Sequence, residues 1–284
     1  RCCNREGHSF RGMIPQYASA LLISDLHLTP SMPLTAQRFF DFCEKEAPKV
    51  EAVFILGDLF EYWVGDDAAS TSPFQQEVRR ALANLSTKVK TYYLHGNRDF
   101  LVGTSYLKKT GMTLLADPSC IEIAGSKYIL SHGDVLCTAD PGYQIFRRWT
   151  RKNWVQKLFL RLPLAWRKSI ANHLRSNSHI QYQNAARTST RQNNIRTNVT
   201  LEACAAMLRA QDGVRLIHGH THLPAHHHEQ LGDQVWQRWV LSDWDLDHPE
   251  SVLPRANALL INGLGARLTD LIKPNQVSSI SALN

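Results

Sequence analysis

Two features that define other protein classes are missing from this 284-residue sequence: a long apolar run and a regular cysteine pattern. No apolar run approaches the roughly 18 residues of a membrane-spanning helix, so an integral membrane protein is not expected. The six cysteines form no Cys-x-x-Cys pair, so we expect reduced thiols, as in a cytoplasmic protein. The first residues contain no apolar core of a signal peptide, and we expect residues 1–17 to form a peripheral N-terminal extension.

Acidic residues are missing from one long segment, residues 141–201, which contains twelve lysine and arginine residues. Trp149, Trp154 and the apolar run Phe159–Leu164 are interleaved with them, and the whole chain has a net charge of +7. Basic and aromatic helical faces suit an anionic membrane surface, although they suit a nucleic acid backbone equally well. A packed helical hairpin with a solvated basic face is the third possibility. We favour the membrane, because a merely solvated face usually mixes both signs of charge.

Five apolar segments of strand type each end in side chains that are able to bind a metal ion. In chain order these are Asp25 and His27 after Leu21–Ile23, Asp58 after Ala52–Leu56, Asn97 after Thr91–Leu94, His132 after Lys127–Leu130, and His220 with His222 after Val214–Ile217. Residues i and i+2 of extended backbone point to the same side, so Asp25 and His27 are expected to reach one point. Strands that alternate with helices predict an α/β sheet, in which ligands gather at the carboxyl ends of the strands.

The donor atoms of these seven side chains are oxygen and nitrogen, without a thiolate, which suits manganese, iron or zinc. Seven ligands exceed what one catalytic ion usually takes from a protein, so we expect two ions with Asp58 as the bridging carboxylate. Taken singly, Asp58 and Asn97 would be ordinary turn residues, or Asp58 a helix N-cap. His95 and His218 are out of phase and are expected to face away from the metals. The cluster His226–His228 is expected in a solvated loop.

The order of these motifs resembles that of the calcineurin-like metallophosphoesterases over about residues 20–245. The motifs are Asp25-x-His27, Gly57-Asp58, Gly96-Asn97-Arg98-Asp99, His132-Gly133-Asp134 and Gly219-His220-Thr221-His222. The resemblance implies an α/β fold, more specifically a four-layer α+β arrangement. In this arrangement a β-sandwich is flanked by helices, and a helical cap is inserted into the chain. It implies a core of residues 18–140 and 202–275 and a cap of residues 141–201. It also implies two ligand sets, one of Asp25, His27, Asp58 and His222 and the other of Asp58, Asn97, His132 and His220.

Arg98 indicates the kind of phosphoester that is cleaved. Many phosphomonoesterases of this superfamily have histidine at this position, where it protonates an alkoxide leaving group. Arginine is no acid near neutral pH, but its planar fork binds phosphate oxygens well. A phosphate monoester, whose second pKa is about 6, departs without protonation, so Arg98 favours cleavage of a pyrophosphate. The alternative is that Arg98 merely pairs with Asp99 or Asp66.

Within the superfamily, longer motifs resemble the UDP-2,3-diacylglucosamine pyrophosphohydrolase family. They are Gly57-Asp58-Leu59-Phe60-Glu61-x-Trp63-x-Gly65-Asp66-Asp67, Gly96–Leu101, Gly111–Leu115, His132–Thr138 and Leu158–Leu164. The resemblance implies hydrolysis of UDP-2,3-diacylglucosamine to UMP and 2,3-diacylglucosamine 1-phosphate (lipid X) in lipid A biosynthesis. It implies two Mn²⁺ ions and a peripheral position on the cytoplasmic face of the bacterial inner membrane. The cap would then take the acyl chains.

The resemblance also implies substrate contacts at the matching positions, which are Asn97, Arg98, Asp140, Ser178 and His220, with catalytic roles for Arg98 and His220. The chain departs from the family pattern at Ala139, Tyr182, Ala185, Leu223 and Ser242. Arg187 or Arg191 is a candidate to replace the family lysine of the cap. These changes bear on substrate affinity, and all seven metal positions are intact.

Two other functions fit part of the pattern. A metal-dependent phosphodiesterase or nuclease would use the basic segment on nucleic acid, and we consider this the runner-up. A non-catalytic membrane-associated protein would be favoured by the loss of a metal position, and none is lost.

Overall fold

The computed structural model describes residues 14–174, 198–249 and 253–272. Twelve strands occur within these ranges: β1 Gln16–Tyr17, β2 Ala20–Ile23, β3 Ala52–Ile55, β4 Lys90–Leu94, β5 Thr113–Leu115, β6 Ser119–Ile123, β7 Ser126–Leu130, β8 Arg215–His218, β9 Ala225–Leu231, β10 Gln234–Val240, β11 Asn257–Asn262 and β12 Gly265–Asp270. The helices are α1 Pro33–Asp41, α2 Asp66–Thr71, α3 Pro73–Ser86, α4 Thr104–Thr110, α5 Pro141–Thr150, α6 Asn153–Leu160, α7 described over 164–174, and α8 Leu201–Ala210. Short turns of π and 3₁₀ type extend α1 over Phe42–Glu46 and Ala47–Lys49, and a 3₁₀ turn covers Asp134–Leu136.

The strands form two six-stranded sheets. Sheet I has the order β12-β11-β2-β3-β4-β5, and sheet II has the order β1-β6-β7-β8-β10-β9. Strands β2, β3, β4 and β5 of sheet I are parallel to one another, and so are β7, β8 and β10 of sheet II. In each sheet, parallel neighbours therefore present their carboxyl ends along one edge, where the loops that follow them lie close together.

Successive side chains of a strand point to opposite faces of its sheet, so each strand contributes apolar residues both to the core between the sheets and to the core under the helices. Leu22 and Phe54 of sheet I face Leu130 and Ile217 of sheet II, which makes the core between the sheets. Ile23 and its neighbours on the other face of sheet I pack against α1, α3 and α4. The outer face of sheet II packs against α8 in the same way. The predicted four-layer β-sandwich flanked by helices is thus confirmed.

The first strand includes the last two residues of the predicted N-terminal extension. Gln16 and Tyr17 pair with β6, and Tyr17 packs edge-on against Phe54 in the core between the sheets. The sheet therefore begins two residues before the predicted boundary at residue 18. Residues 1–13 lie outside the described ranges, and the remaining domain boundaries stay predictions.

The segment predicted as a cap is helical where it is described. Neither α5 nor α6 has a fully buried residue, in contrast to the helices that cover the sheets. Across the described part of the chain, no helix combines the length and apolar character that crossing a bilayer requires.

Candidate metal centre and active site

The loops that follow β2, β3 and β8 contain most of the positive-φ residues other than glycine in the described part of the chain. Seven described residues other than glycine have positive φ, and five of them are predicted metal ligands. These five are Asp25 (φ 56°), His27 (49°), Asp58 (50°), His220 (69°) and His222 (56°). Left-handed backbone at a residue other than glycine costs of order 1–3 kcal/mol and clusters at functional sites. The expectation of extended backbone at Asp25 and His27 is therefore wrong: β2 ends at Ile23, and left-handed turns aim both side chains.

Two glycines allow these loops to approach each other. A Cβ atom on Gly96 would lie 2.0 Å from Asp58 Oδ1 and 2.2 Å from the Asp58 nitrogen. A Cβ atom on Gly219 would lie 2.2 Å from Asp25 Oδ2. Both distances are far inside van der Waals contact, so only glycine permits this packing. The Gly-Asn and Gly-His motifs of the sequence thus have a steric reason.

Asp25, His27 and His222 form the first group of the centre. One donor atom from each lies within 4.8 Å of the other two. His222 Nε2 is 3.4 Å from His27 Nε2 and 3.4 Å from Asp25 Oδ1. The backbone N–H of His220 donates to Asp25 Oδ2 over 2.8 Å, whereas the buried Oδ1 accepts no hydrogen bond from the described residues. An unsatisfied carboxylate oxygen that faces two imidazole nitrogens is the arrangement a cation would complete.

The second group surrounds His132, at the end of β7. His132 shares a second set of mutual distances within 4.8 Å with Asp25 and Asp58, and its Nε2 lies 3.8 Å from Asp58 Oδ2. Asn97 Oδ1 lies 2.9 Å from His132 Nε2 and 2.9 Å from His220 Nδ1. All seven predicted ligands are therefore brought together at one edge of the sandwich.

The outward nitrogens of three histidines lie near oxygen acceptors. His27 Nδ1 lies 3.2 Å from Glu61 Oε2, His132 Nδ1 lies 2.9 Å from the Leu56 carbonyl oxygen, and His222 Nδ1 lies 3.4 Å from Asp243 Oδ2. A proton on each Nδ1 leaves the lone pair of Nε2 directed into the centre, which is the tautomer a metal requires. Sequence reasoning gave Glu61 and Asp243 no role. Glu61 lies in the Gly57–Asp67 motif that carries the family resemblance, and Asp243 directly follows Ser242, one of the positions that depart from the family pattern.

Asp99 and Arg98 hold the Asp58 loop. The buried Asp99 carboxylate accepts the backbone N–H groups of Gly96 (2.9 Å) and Leu59 (2.8 Å). The backbone N–H of Arg98 donates to Asp58 Oδ1 over 2.8 Å. The Arg98 guanidinium makes no ion pair with any described residue, so the alternative of pairing with Asp99 or Asp66 is wrong. Asp66 instead accepts backbone N–H groups at the start of α4.

The electrostatics of the centre favour a positive charge. Burial disfavours ionisation of Asp25, but His222, whose Nε2 lies 3.4 Å from Asp25 Oδ1, and the charges of His132 and His27 outweigh it and hold the pKa of this carboxyl below its usual range. Burial lowers the pKa of His132, yet the nearby carboxylates of Asp58 and Asp25 raise it to about 9. Two buried carboxylates therefore stabilise positive charge between them, and oxygen and nitrogen donors suit a divalent first-row ion. The residues present fit a metal centre.

Helix α5 is docked on this centre through Asp134 of the His132-Gly133-Asp134 motif. The buried Asp134 Oδ2 accepts the Tyr143 hydroxyl (2.8 Å) and Arg147 Nε (2.8 Å). The Tyr143 ring lies nearly parallel to the ring of His220, with centroids 6.2 Å apart. Arg151 donates to the Gly96 carbonyl oxygen over 2.7 Å. One end of the predicted cap is thus part of the active-site wall.

Helix α7 is anchored by a second arginine contact. Arg167 donates to the Val64 carbonyl oxygen over 2.5 Å and forms a bidentate pair with Asp67. With Arg147 and Arg151, three basic residues of the acid-free segment are paired with acids or carbonyl groups of the core. These three side chains therefore hold the segment on the core, and contact of the segment with a membrane stays a prediction.

Known proteins resemble this chain over most of its length. The sequence model of the calcineurin-like phosphoesterase family matches residues 19–248. The chain belongs to the calcineurin-like phosphoesterase family. Curated relatives named UDP-2,3-diacylglucosamine hydrolase include those of Ralstonia nicotianae (46% identical; 84% of this chain and 87% of the relative) and Aeromonas hydrophila (47%; 80% and 90%). The relative from Aromatoleum aromaticum is 44% identical over 81% of this chain and 91% of its own length. The resemblance predicted from the motifs is confirmed.

The remaining predicted residues of this phosphoesterase fall into three cases. Asp140 caps α5, since its side chain accepts the N–H of Tyr143 over 2.9 Å, and its substrate role stays a prediction. His95 and His218 bond to backbone carbonyl oxygens instead of the centre, as expected. The positions that lie outside the described residues are Ser178, Tyr182, Ala185, Arg187 and Arg191.

The expectation of a loop at His226–His228 is wrong for this phosphoesterase. These residues belong to β9, which pairs with β10 along its whole length. The His226 ring stacks on Trp239 at 4.3 Å with an interplanar angle of 10°. Cross-strand stacking on a large aromatic ring stabilises the strand, which local sequence does not reveal.

Proposed function

We propose that this phosphoesterase hydrolyses the pyrophosphate bond of UDP-2,3-diacylglucosamine and releases UMP and 2,3-diacylglucosamine 1-phosphate. The observation that carries the proposal is the convergence of seven metal-competent side chains at one edge of the sandwich, in a chain 46% identical over 240 residues to a UDP-2,3-diacylglucosamine hydrolase. The product sugar phosphate would enter lipid A biosynthesis.

Two Mn²⁺ ions are the proposed cofactors. Asp25, His27, Asp58 and His222 would hold one ion, and Asp58, Asn97, His132 and His220 the other. When bound, the ions would supply an activated water and neutralise charge on the phosphate oxygens. A carboxylate oxygen of Asp58 lies within 4.8 Å of one of Asp25, which would hold the first ion, and Asp58 Oδ2 is 3.8 Å from Nε2 of His132, which would hold the second. Asp58 is the proposed bridge.

The protein's own groups would orient the diphosphate. The backbone N–H of Arg98 is bound to Asp58, which ties this residue to the centre, and the Arg98 guanidinium forms no ion pair with a described acid. That planar fork suits two oxygens of the departing phosphate, which needs no proton donor. His220, held between Asn97 and the ring of Tyr143, would contact the phosphate under attack.

The lipid half of the substrate and the membrane would meet the cap. Five large apolar side chains in the described part of the cap are at least half exposed: Ile145 (51%), Trp149 (52%), Trp154 (58%), Leu158 (57%) and Trp166 (64%). Exposed aromatic residues among basic side chains support a peripheral position on an anionic membrane, here the cytoplasmic face of the inner membrane. We further propose that the cap shields the acyl chains.

A substrate panel tests the proposal. Purified protein saturated with Mn²⁺ is offered UDP-2,3-diacylglucosamine in detergent, UDP-glucose, and single- and double-stranded nucleic acid. UMP release from the acylated substrate, with little from UDP-glucose, is expected because the apolar cap requires acyl chains. Cleavage of nucleic acid alone would refute the proposal in favour of a nuclease.

A further inference from the structure

A cavity of about 280 Å³ opens beside His27. Its wall includes Leu28, which follows His27 in the chain, and Glu61, which lies 3.2 Å from His27 Nδ1. Helix α5, in contrast, contacts the centre at His220 through the ring of Tyr143. The cavity thus adjoins His27 and helix α5 adjoins His220, two predicted ligands that would hold different ions.

We infer that this cavity binds the uridine moiety of the substrate, an inference that rests on the proposed function. In an in-line displacement the water attacks opposite the departing sugar phosphate, while the ribose oxygen stays bound to the reacting phosphorus and points in another direction. The diacylglucosamine half requires apolar surface, which α5 and α6 expose. The nucleoside half requires polar groups and an aromatic surface beside the centre, and the cavity offers both.

The lining chemistry matches a neutral nucleoside. Tyr62 is half-buried in the wall and offers a ring on which a base can stack. The half-buried Gln75 offers an amide with both a donor and an acceptor, which can pair with the edge of uracil. The Glu61 carboxylate can accept hydrogen bonds from ribose hydroxyls, as acidic residues do in other nucleotide sites.

Size and charge exclude the other half of the substrate and a further phosphate. The volume of about 280 Å³ lies just below the range of small-molecule sites, about 300–1,000 Å³, and suits one compact moiety instead of two acyl chains. Glu61 and Lys168, the only charged side chains of the described wall, have opposite signs. The cavity therefore lacks the excess positive charge that a phosphate needs.

Calorimetry with the Mn²⁺-loaded chain tests this assignment, using UMP, ribose 5-phosphate and 2,3-diacylglucosamine 1-phosphate as separate probes. Tyr62→Ala should weaken UMP binding at least about fivefold, because a stacking surface is lost. Gln75→Ala should weaken it about three- to tenfold through the loss of hydrogen bonds. Neither change should alter the affinity for the lipid product, and Gln75→Ala should leave the affinity for ribose 5-phosphate unchanged.

Gln76→Ala is the matched control, because this neighbouring amide donates to the Ser70 carbonyl oxygen and does not line the cavity. Unchanged UMP affinity in Tyr62→Ala and Gln75→Ala would overturn the assignment, as would a loss confined to the lipid product. Wild-type protein that binds UMP no more tightly than ribose 5-phosphate would overturn it too. If the wild-type chain releases UMP from UDP-2,3-diacylglucosamine while these variants keep full UMP affinity, only the subsite fails. Absence of that release in the wild-type chain refutes the proposed function itself.

Discussion

Replacing Gly96 by alanine should disrupt the centre without removing any ligand. The added Cβ atom would lie 2.0 Å from Asp58 Oδ1, whereas non-bonded heavy atoms settle at about 3.5–4.0 Å. The Gly96 loop and the Asp58 loop must therefore separate by about 1.5 Å. Gly96 does not have positive φ, so the effect of the substitution is steric.

A displacement of about 1 Å in a catalytic constellation lowers the rate roughly 100-fold. We therefore expect kcat/KM for UMP release to fall by about two orders of magnitude in Gly96→Ala. The free energy of unfolding should fall by only about 1–3 kcal/mol, the usual effect of overpacking, so the variant should still fold. Steady-state UMP release and urea denaturation measure the two quantities.

Gly263→Ala is the matched control, since a Cβ atom there meets nothing within 4 Å and φ is not positive. This variant should keep wild-type activity and stability. If Gly96→Ala were within twofold of Gly263→Ala in kcat/KM, the close approach of the two loops would be irrelevant to catalysis, and the reasoning would be refuted.

Three further changes test other parts of the account. Arg98→Lys keeps the charge but loses the bidentate fork, so kcat should fall about 10- to 100-fold in the UMP assay, and an unchanged kcat would contradict the phosphate role. Trp154→Asp combined with Leu158→Asp should weaken binding to anionic vesicles and raise KM for the acylated substrate. The control Leu264→Asp, at a side chain 99% exposed in the turn after β11, should change neither quantity. If the double variant binds vesicles as tightly as the wild type, the cap is not the membrane contact. Arg167→Ala should lower the free energy of unfolding by about 1–3 kcal/mol, mainly because the Val64 carbonyl loses its partner, and an unchanged urea midpoint would show that this anchor of α7 is dispensable.

The sequence predicts the positions of the ligands well because each follows a buried apolar strand. Ala52–Ile55 and Lys90–Leu94 are recognisable strands, and the Gly57-Asp58 and Gly96-Asn97 dipeptides mark their ends. Parallel pairing then places those ends along one edge. Strand periodicity predicts the wrong backbone conformation at Asp25. The backbone there is left-handed, and only the tertiary contacts of the loop stabilise it.

The sequence does not reveal which side chains pair when the two residues are far apart along the chain. Composition shows that residues 141–201 lack acids, but the acids that pair with Arg147 and Arg167 are Asp134 and Asp67 of the core. In the same way, Asp243 becomes the partner of His222 only when β10 is laid beside β8. Such pairings depend on packing between elements, which a local pattern does not encode.

Metal content is the most direct test of the central claim, that five strand-end loops assemble a two-cation centre for diphosphate hydrolysis. The chain is saturated with Mn²⁺, freed of excess ion by gel filtration, and analysed for bound manganese alongside UMP release. We expect two ions per chain in the wild type and in the control Asp233→Ala, an exposed turn carboxylate. Asp58→Ala should retain at most one ion and lose turnover, because the proposed bridge is gone. A wild-type chain that holds no manganese, or an Asp58→Ala variant with two ions and full activity, would contradict the account.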